Sequence, residues 1–222
     1  MGTSVKKTSR IVKRLLEQSR GLNEQEEIEK IIPNICTEVI KSKKTRKYFE
    51  DNDFIVLANS GFSYFKKIKT EGFDKVLEEY NVKVEKIEDD KLSAIQVQKV
   101  IESILDKAED DNKEIESSFI LGAFQVAMTK MLLNNFNEPE QFLTLFCETF
   151  ISKIITEEAN EEIIEEFKEI SINEISNNIS EFSRLYVEEN FKDIILQCCN
   201  NETNLENLID EMKVKLNFKE EL

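Results

Sequence analysis

Histidine is absent from this chain of 222 residues. Its absence removes Ser-His-Asp and Cys-His nucleophile systems and histidine general acid–base catalysis. It also removes the His-based zinc and di-iron sites that helical bundles often carry. Glycine and proline are scarce, at five and two residues. Sheet-rich folds need many tight turns, and tight turns need those residues, so the scarcity points to few, long elements. No run reaches the roughly 18–20 uninterrupted apolar residues of a membrane span. The most apolar run, Phe119 to Leu133, is shorter and contains Gln125, Thr129 and Lys130. The opening Met-Gly-Thr-Ser-Val-Lys-Lys has no apolar signal-peptide core, and Lys6 stands where a myristoylation motif wants Ser or Thr. A cytoplasmic location without membrane contact is expected. Neither G-x-x-x-x-G-K-[ST] nor G-x-G-x-x-G occurs, so the standard phosphate-binding loops are missing.

The four cysteines, Cys36, Cys147, Cys198 and Cys199, form no C-x-x-C pair and have no histidine to complete a zinc site. Cys36 and Cys147 fall on apolar helix faces and read as small core residues. Cys198 and Cys199 are adjacent and cannot both face the core from one helix; a redox or metal role is the sharper reading of that pair.

Apolar residues make up 40% of the chain and charged residues 34%, a balance that suits long helices with one solvated face. A chain of this length can bury roughly 70% of the surface it exposes when unfolded, enough for a core without metal or disulfide staples. The net charge of −15 is unevenly spread. Residues 1–50 hold 12 Lys or Arg against 7 Glu, a net of +5, and residues 51–222 hold 18 positive against 38 negative charges, a net of −20. A basic head on an acidic body fits contact with nucleic acid, or docking of the head on its own body or on a neighbouring copy. The overall negative charge opposes loose DNA binding by the whole molecule.

Helical spacing of apolar residues dominates the chain. A first helix is expected over about residues 4–20, with Gly21 as its stop. Asn23-x-x-Glu26 resembles a capping box, and Ile28, Ile31, Ile32, Ile35, Val39 and Ile40 follow it. Pro33 either kinks that helix or begins a new one. The helix is expected to end in Lys41, Lys43, Lys44, Arg46 and Lys47, where cations would complement its dipole. Residues 51–90 are ambiguous. Phe54 to Ala58, Asn59-Ser-Gly61 and Phe62 to Phe65 read either as strand, turn and strand or as two short helices broken at Gly61, and Val82 and Val84 could start a short strand. Leu92, Ile95, Val100, Ile101, Ile104 and Leu105 then form a helical stripe, and residues 109–113 read as a solvated linker.

The helix expected over about 114–135 is apolar nearly all round, which predicts a central, buried position, with Gly122 allowing a close crossing. Asn137 and Pro139 start another helix, and Asn160 is a candidate cap for the next. Ile172, Ile175, Ile179, Phe182 and Tyr186 follow a heptad-like spacing, which predicts packing within the chain or, more sharply, a self-association seam. Thr203 opens the last helix. No repeat of fixed period is visible.

For catalysis the chain offers carboxylates. Glu161 and Glu165, and Glu162 and Glu166, are neighbours one helical turn apart, a spacing that can hold Mg²⁺ for phosphate hydrolysis if a second acidic helix matches. Glu188, Glu189 and Asp193 match poorly, and a solvated face explains the four glutamates equally well. The basic head is the better candidate surface. Lys6, Lys7, Arg10, Lys13, Arg14, Lys41, Lys43, Lys44, Arg46 and Lys47 supply exposed cations, and Tyr48 and Phe49 could stack on a base or anchor the helix end. The acidic body could also imitate a phosphate backbone.

The expectation is an all-α bundle of about eight or nine helices, with a small β insert near residues 51–90 as a side option. Residues 1–222 would form a single helical domain, divisible into a basic-headed front half, 1–108, and a back half, 114–222. The expected function is non-catalytic: regulation or assembly through protein–protein contacts. Nucleic-acid binding by the basic helices comes second, and a Mg²⁺-dependent carboxylate phosphohydrolase third. The expected partner is a protein, then nucleic acid or a second copy of the chain. No cofactor, catalytic residue or metal ligand is put forward.

Overall fold

The computed structural model describes residues 10–19, 24–80, 92–111, 115–134, 137–166 and 171–216. Among them the chain forms eleven α-helices and no strand. The first three are α1 (Arg10–Ser19), α2 (Glu24–Ile40) and α3 (Lys43–Glu50). Then come α4 (Asn52–Glu71), α5 (Phe73–Glu79), α6 (Ala94–Asp111) and α7 (Ser118–Leu133). The last four are α8 (Pro139–Glu166), α9 (Ile172–Asn190), α10 (Lys192–Cys199) and α11 (Leu205–Leu216). The protein is an all-α multi-helix bundle. No helix among the described residues is long and apolar enough to cross a membrane.

Short polar side chains set most of the helix starts. Ser42, Ser117 and Ser171 are extended residues whose hydroxyls accept the backbone N–H three positions on, satisfying a donor that the first helical turn leaves open. Ser93 and Gln96 form a reciprocal capping box before α6: Ser93 N–H donates to Gln96 Oε1 at 2.9 Å and Gln96 N–H to Ser93 Oγ at 3.3 Å. Asp53 works over a longer range. Its buried carboxylate accepts the backbone N–H groups of Glu116 (3.0 Å) and Ser117 (2.7 Å), tying the start of α4 to the approach of α7.

The strand–turn–strand reading of residues 54–65 does not hold. That run lies inside one continuous helix, α4, and the break expected at Gly61 does not occur. The chain turns at Gly72 instead, whose φ of 89° lies where a Cβ is disfavoured. Gly61 has another purpose. A Cβ there would overlap the ring of Phe142 on α8. The missing side chain is what lets α8 approach α4. Val82 and Val84 lie outside the described residues.

The central helix is α8, which packs against α1, α2, α4, α7, α9 and α10. Its Phe142, Phe146 and Phe150, four residues apart, form one fully buried ridge. Phe65 stacks on Phe142 (ring centroids 5.5 Å apart) and Phe54 on Phe150 (4.6 Å). Each such pair contributes about 0.5–1.5 kcal/mol beyond its area burial. On other sides of α8, Leu143, Cys147, Ile151 and Ile154 are buried too. The sequence reading gave this central place to residues 114–135. In the structure α7 buries Ile120, Phe124, Met128 and Met131 but leaves Val126 and Leu133 each 41% exposed. The helix start expected at Asn160 does not occur, because α8 runs through it to Glu166.

Pro33 lies inside α2, so no new helix starts there. On α9, Ile175 and Ile179 are fully buried and Phe182 and Tyr186 half-buried, on a helix that packs against α8 and α2. The heptad-like spacing therefore serves packing within the chain. Ile172 departs from the pattern at 59% exposed, as does Ile95 on α6 at 69%.

Gly61→Ala should destabilise the protein. Overpacking costs about 1–3 kcal/mol, against roughly 1 kcal/mol gained in helix propensity. Urea denaturation of Gly61→Ala, Phe142→Leu and the double variant should give a double-variant loss smaller than the sum of the single losses. Asp53→Ala removes a charged acceptor from two backbone donors and should cost about 2–3 kcal/mol. Hydrogen exchange at the Glu116 and Ser117 amides should accelerate with it.

Candidate partner-binding surface

The second basic cluster does not end a helix. The chain breaks at Lys41–Ser42 and restarts as α3, so Lys43 and Lys44 occupy the first turn of a new helix. The break is held by Thr45, whose buried hydroxyl donates to the Val39 carbonyl at 2.6 Å. The reading of these cations as complements to a helix C-terminus is therefore corrected. α3 has no acidic residue in its first turn. Two lysines there oppose the positive end of the dipole, an arrangement that costs about 0.3–1 kcal/mol per charge at an exposed site.

One face of α3 is fixed inward. Phe49 is fully buried, 5.1 Å from the Phe54 ring and 5.0 Å from that of Phe150. Tyr48 stacks on Phe119 of α7 at 4.8 Å with the rings 25° from parallel. Both aromatics are therefore engaged in packing, and of the two sequence readings helix anchoring is the one observed. The opposite face follows from helical spacing. Lys43, Arg46, Lys47 and Glu50 lie three or four residues apart on one exposed stripe. Arg46 Nε donates to Glu50 Oε1 at 2.7 Å, and Lys44 pairs with Glu158 of α8 at 2.5 Å. Among the described residues Lys43 and Lys47 make no ion pair.

Lys13 and Arg14 are exposed on α1, again without an ion pair among the described residues, while Lys41 is half-buried at the α2–α3 break. Arg10 opens α1, but its side chain, like Lys6 and Lys7, lies outside what the structure describes. The structure thus brings Lys43, Lys44, Arg46 and Lys47 together on α3. α1 and α3 both pack on α2, and no described contact joins their cations.

Several cations of the acidic body are neutralised. Lys67 pairs with Glu79, Lys69 with Glu138, Lys75 with Glu71, and Lys213 with Asp210. Arg184 on α9 bridges Glu181 and Glu188, and Lys192 also reaches Glu188. Glu188 is therefore engaged by cations. Glu161 and Glu165 are exposed on the last turns of α8, and the side chains of Glu162 and Glu166 are not described. Among the described residues no group of three or more His, Cys, Asp or Glu is arranged to hold a metal ion.

The cysteines are free thiols; Cys36, Cys147 and Cys198 are buried and Cys199 half-buried. Burial pushes Cys36 and Cys147 far above the ordinary thiol range, raises Cys198, and moves Cys199 to about 12. All four stay protonated at neutral pH, which removes thiolate nucleophilicity.

Two depressions escaped the sequence reading because their walls come from separate helices whose packing helical spacing alone does not fix. One, of about 280 Å³, lies over α7 and α8 and includes Met131, Gln141, Thr144 and Glu148. Burial raises the Glu148 carboxyl above its ordinary range, partly offset by Arg184 and Lys130. The other, of about 630 Å³, is an open groove walled by α4, the α10–α11 turn and the start of α11. No family model, no curated protein and no solved structure matches this chain.

Glu148 yields a pH test. A carboxyl with a raised folded-state pKa binds its proton more tightly when folded, so its contribution is fully present below the unfolded pKa near about 4.3 and is lost as pH rises through the folded value. Glu148→Gln, which cannot ionise, should therefore melt higher than the parent at pH 7. The difference should shrink to nothing near pH 4 in thermal scans.

Proposed function

We propose that this chain is a non-catalytic regulatory or assembly protein that works through protein–protein contacts, and that the outer face of α3 meets an acidic surface on its partner. One observation carries this reading. Lys43 and Lys47 stand exposed, without an ion pair among the described residues, in a chain whose net charge is −15. Lys44, Arg46, Lys67 and Lys69 take carboxylates as partners, while Lys66, Lys99, Lys130 and Lys215 also form no ion pair among the described residues, so what sets Lys43 and Lys47 apart is their place together on one basic helix face. Lys43 also sits where the helix dipole disfavours it. A charge kept at a cost to stability is characteristic of a surface kept for binding. Such contacts speed and orient encounter more than they add affinity.

The absence of histidine and the protonated thiols support a non-catalytic role. Packing of Tyr48 and Phe49 inside the bundle removes the stacking groups that favoured a single-stranded nucleic acid. The acidic body of a second copy is one surface of the required sign.

The test compares the parent with Lys43→Glu/Lys47→Glu. Solution mass at low and high salt, with and without a DNA duplex of roughly twenty base pairs, comes first. Cross-linked capture from cells follows. The parent should assemble with itself or retain one stoichiometric protein, and the variant should lose that contact by at least about tenfold. The Lys43→Glu single variant should melt no lower than the parent, since an acid suits that helix end. Tight duplex binding with steep salt dependence would transfer the reading to nucleic acid. Identical behaviour of parent and variant would end it.

A further inference from the structure

Two helix faces of opposite charge lie side by side on this chain. From Ile154 to Glu166 the sequence of α8 holds six glutamates and neither lysine nor arginine. α3 holds four cations and one glutamate. Phe49, near the end of α3, meets Phe150 on α8, and Lys44, at its start, pairs with Glu158. Contacts that run in opposite order make the two helices antiparallel, so the acidic turns of α8 continue past the point where α3 begins. Glu158, Glu161 and Glu165, spaced three and four apart, share one stripe of that extension.

Internal pairs use up part of each face. Lys44 takes Glu158, and Arg46 takes Glu50. Lys43 and Lys47 on one side, and Glu161 and Glu165 on the other, are exposed and form no ion pair among the described residues. Both helix ends also carry the charge that their dipoles disfavour. α3 has no acidic residue in its first turn, and α8 has no basic residue in its last, where Glu165 stands.

We infer that this face binds a second copy of the chain across a two-fold axis, with Lys43 and Lys47 of each copy meeting Glu161 and Glu165 of the other. The order of the charges selects this partner. A uniformly acidic surface, or a nucleic acid, approaching Lys43 and Lys47 would bring negative charge against Glu161 and Glu165 beside them. A complementary partner must be acidic opposite α3 and basic opposite the end of α8. A second copy turned by half a revolution has that arrangement, because a two-fold interface pairs each patch with the other patch of its partner. The axis then passes near the Lys44–Glu158 pair, where the two signs join. The net charge of −15 opposes the approach at long range. At about 0.1 M salt the Debye length is about 10 Å, which screens the distant body and leaves charges in contact attracted. The inference rests on the reading of α3 as a partner-binding surface and names that partner.

Sedimentation equilibrium of the full chain at that salt concentration reads the assembly. The parent should form a closed dimer. Lys43→Glu/Lys47→Glu and Glu161→Lys/Glu165→Lys should each dimerise at least about tenfold more weakly. Mixed in equal amounts, these two variants should give a one-to-one dimer, since an all-acidic face then meets an all-basic one. A chain carrying all four substitutions should dimerise with itself again, a recovery that loss of folding would not allow. A parent still monomeric at about 1 mM would overturn the inference. So would a mixture or a fourfold variant that does not associate, or growth into open chains in place of a dimer. A monomeric parent that retains a different stoichiometric protein, lost in Lys43→Glu/Lys47→Glu, would overturn the second copy and leave the α3 reading standing. A monomeric parent that retains no partner would end both.

Discussion

The crossing of α4 over α8 governs the rest of the bundle. It depends on the pairing of Gly61, which has no side chain, with Phe142, whose ring fills the space that a Cβ would need. Phe142 begins the aromatic ridge of α8, and Phe54 and Phe65 reach that ridge from α4 on either side of the glycine. A helix pair that could not approach so closely would leave the ridge with unfilled space. Interiors packed at crystal-like density tolerate little of that. The glycine weakens α4 locally and strengthens the molecule through contact, a trade common where a helix must pass close to a neighbour.

The same ridge positions the candidate surface. α3 has eight residues and would be marginal alone. It is held by Phe49, wedged between Phe54 and Phe150, and by Tyr48 stacked on Phe119. With those faces buried, spacing alone leaves Lys43, Arg46 and Lys47 outward. A short helix anchored by aromatics on one side presents its cations on a rigid support, and rigidity lowers the entropic cost of recognition. The exposed lysines are thus coupled to the core through five rings, of which Phe49, Phe54 and Phe150 are fully buried.

Much of the fold was legible because it depends on local rules. The scarcity of turn residues and the apolar spacing of three and four pointed to helices, while the capping serines were not singled out in the sequence. Ser117 and Ser171 cap helices in the structure. The misreadings share a cause. Gly61 was read for its backbone freedom, whereas its role is tertiary. Residues 114–135 were taken as central from uniform apolarity, yet α8, whose charged residues cluster toward its last turns, is the helix surrounded by others. Apolarity reports how much surface a helix can bury, not how many neighbours it acquires. The run 41–47 was read as one helix end, because a single serine at position 42 is weak evidence for a break until Thr45 is seen bonded to the Val39 carbonyl. The cations of α3 could be identified from sequence. Which of them are matched could not, since Lys44 meets Glu158 more than a hundred residues away.

Charge segregation then acquires a physical meaning that composition alone could not give it. An excess of fifteen negative charges opposes unoriented approach of another acidic surface. Within such a field carboxylates are abundant, yet about half of the described body cations, Lys99, Lys130 and Lys215 among them, form no ion pair. Lys43 and Lys47 differ from these in standing together on one face of a short helix that also carries Lys44 and Arg46. Exposed pairs gain at most about 1 kcal/mol, so the lack of a partner costs Lys43 and Lys47 little, and the cost to the fold comes from placing Lys43 at the positive end of the α3 dipole. On the partner-binding reading proposed above, the stripe on α3 is where an acidic surface would meet the least repulsion. On the same reading, overall negative charge would disfavour indiscriminate contact with acidic molecules and the local positive charge would select where contact occurs.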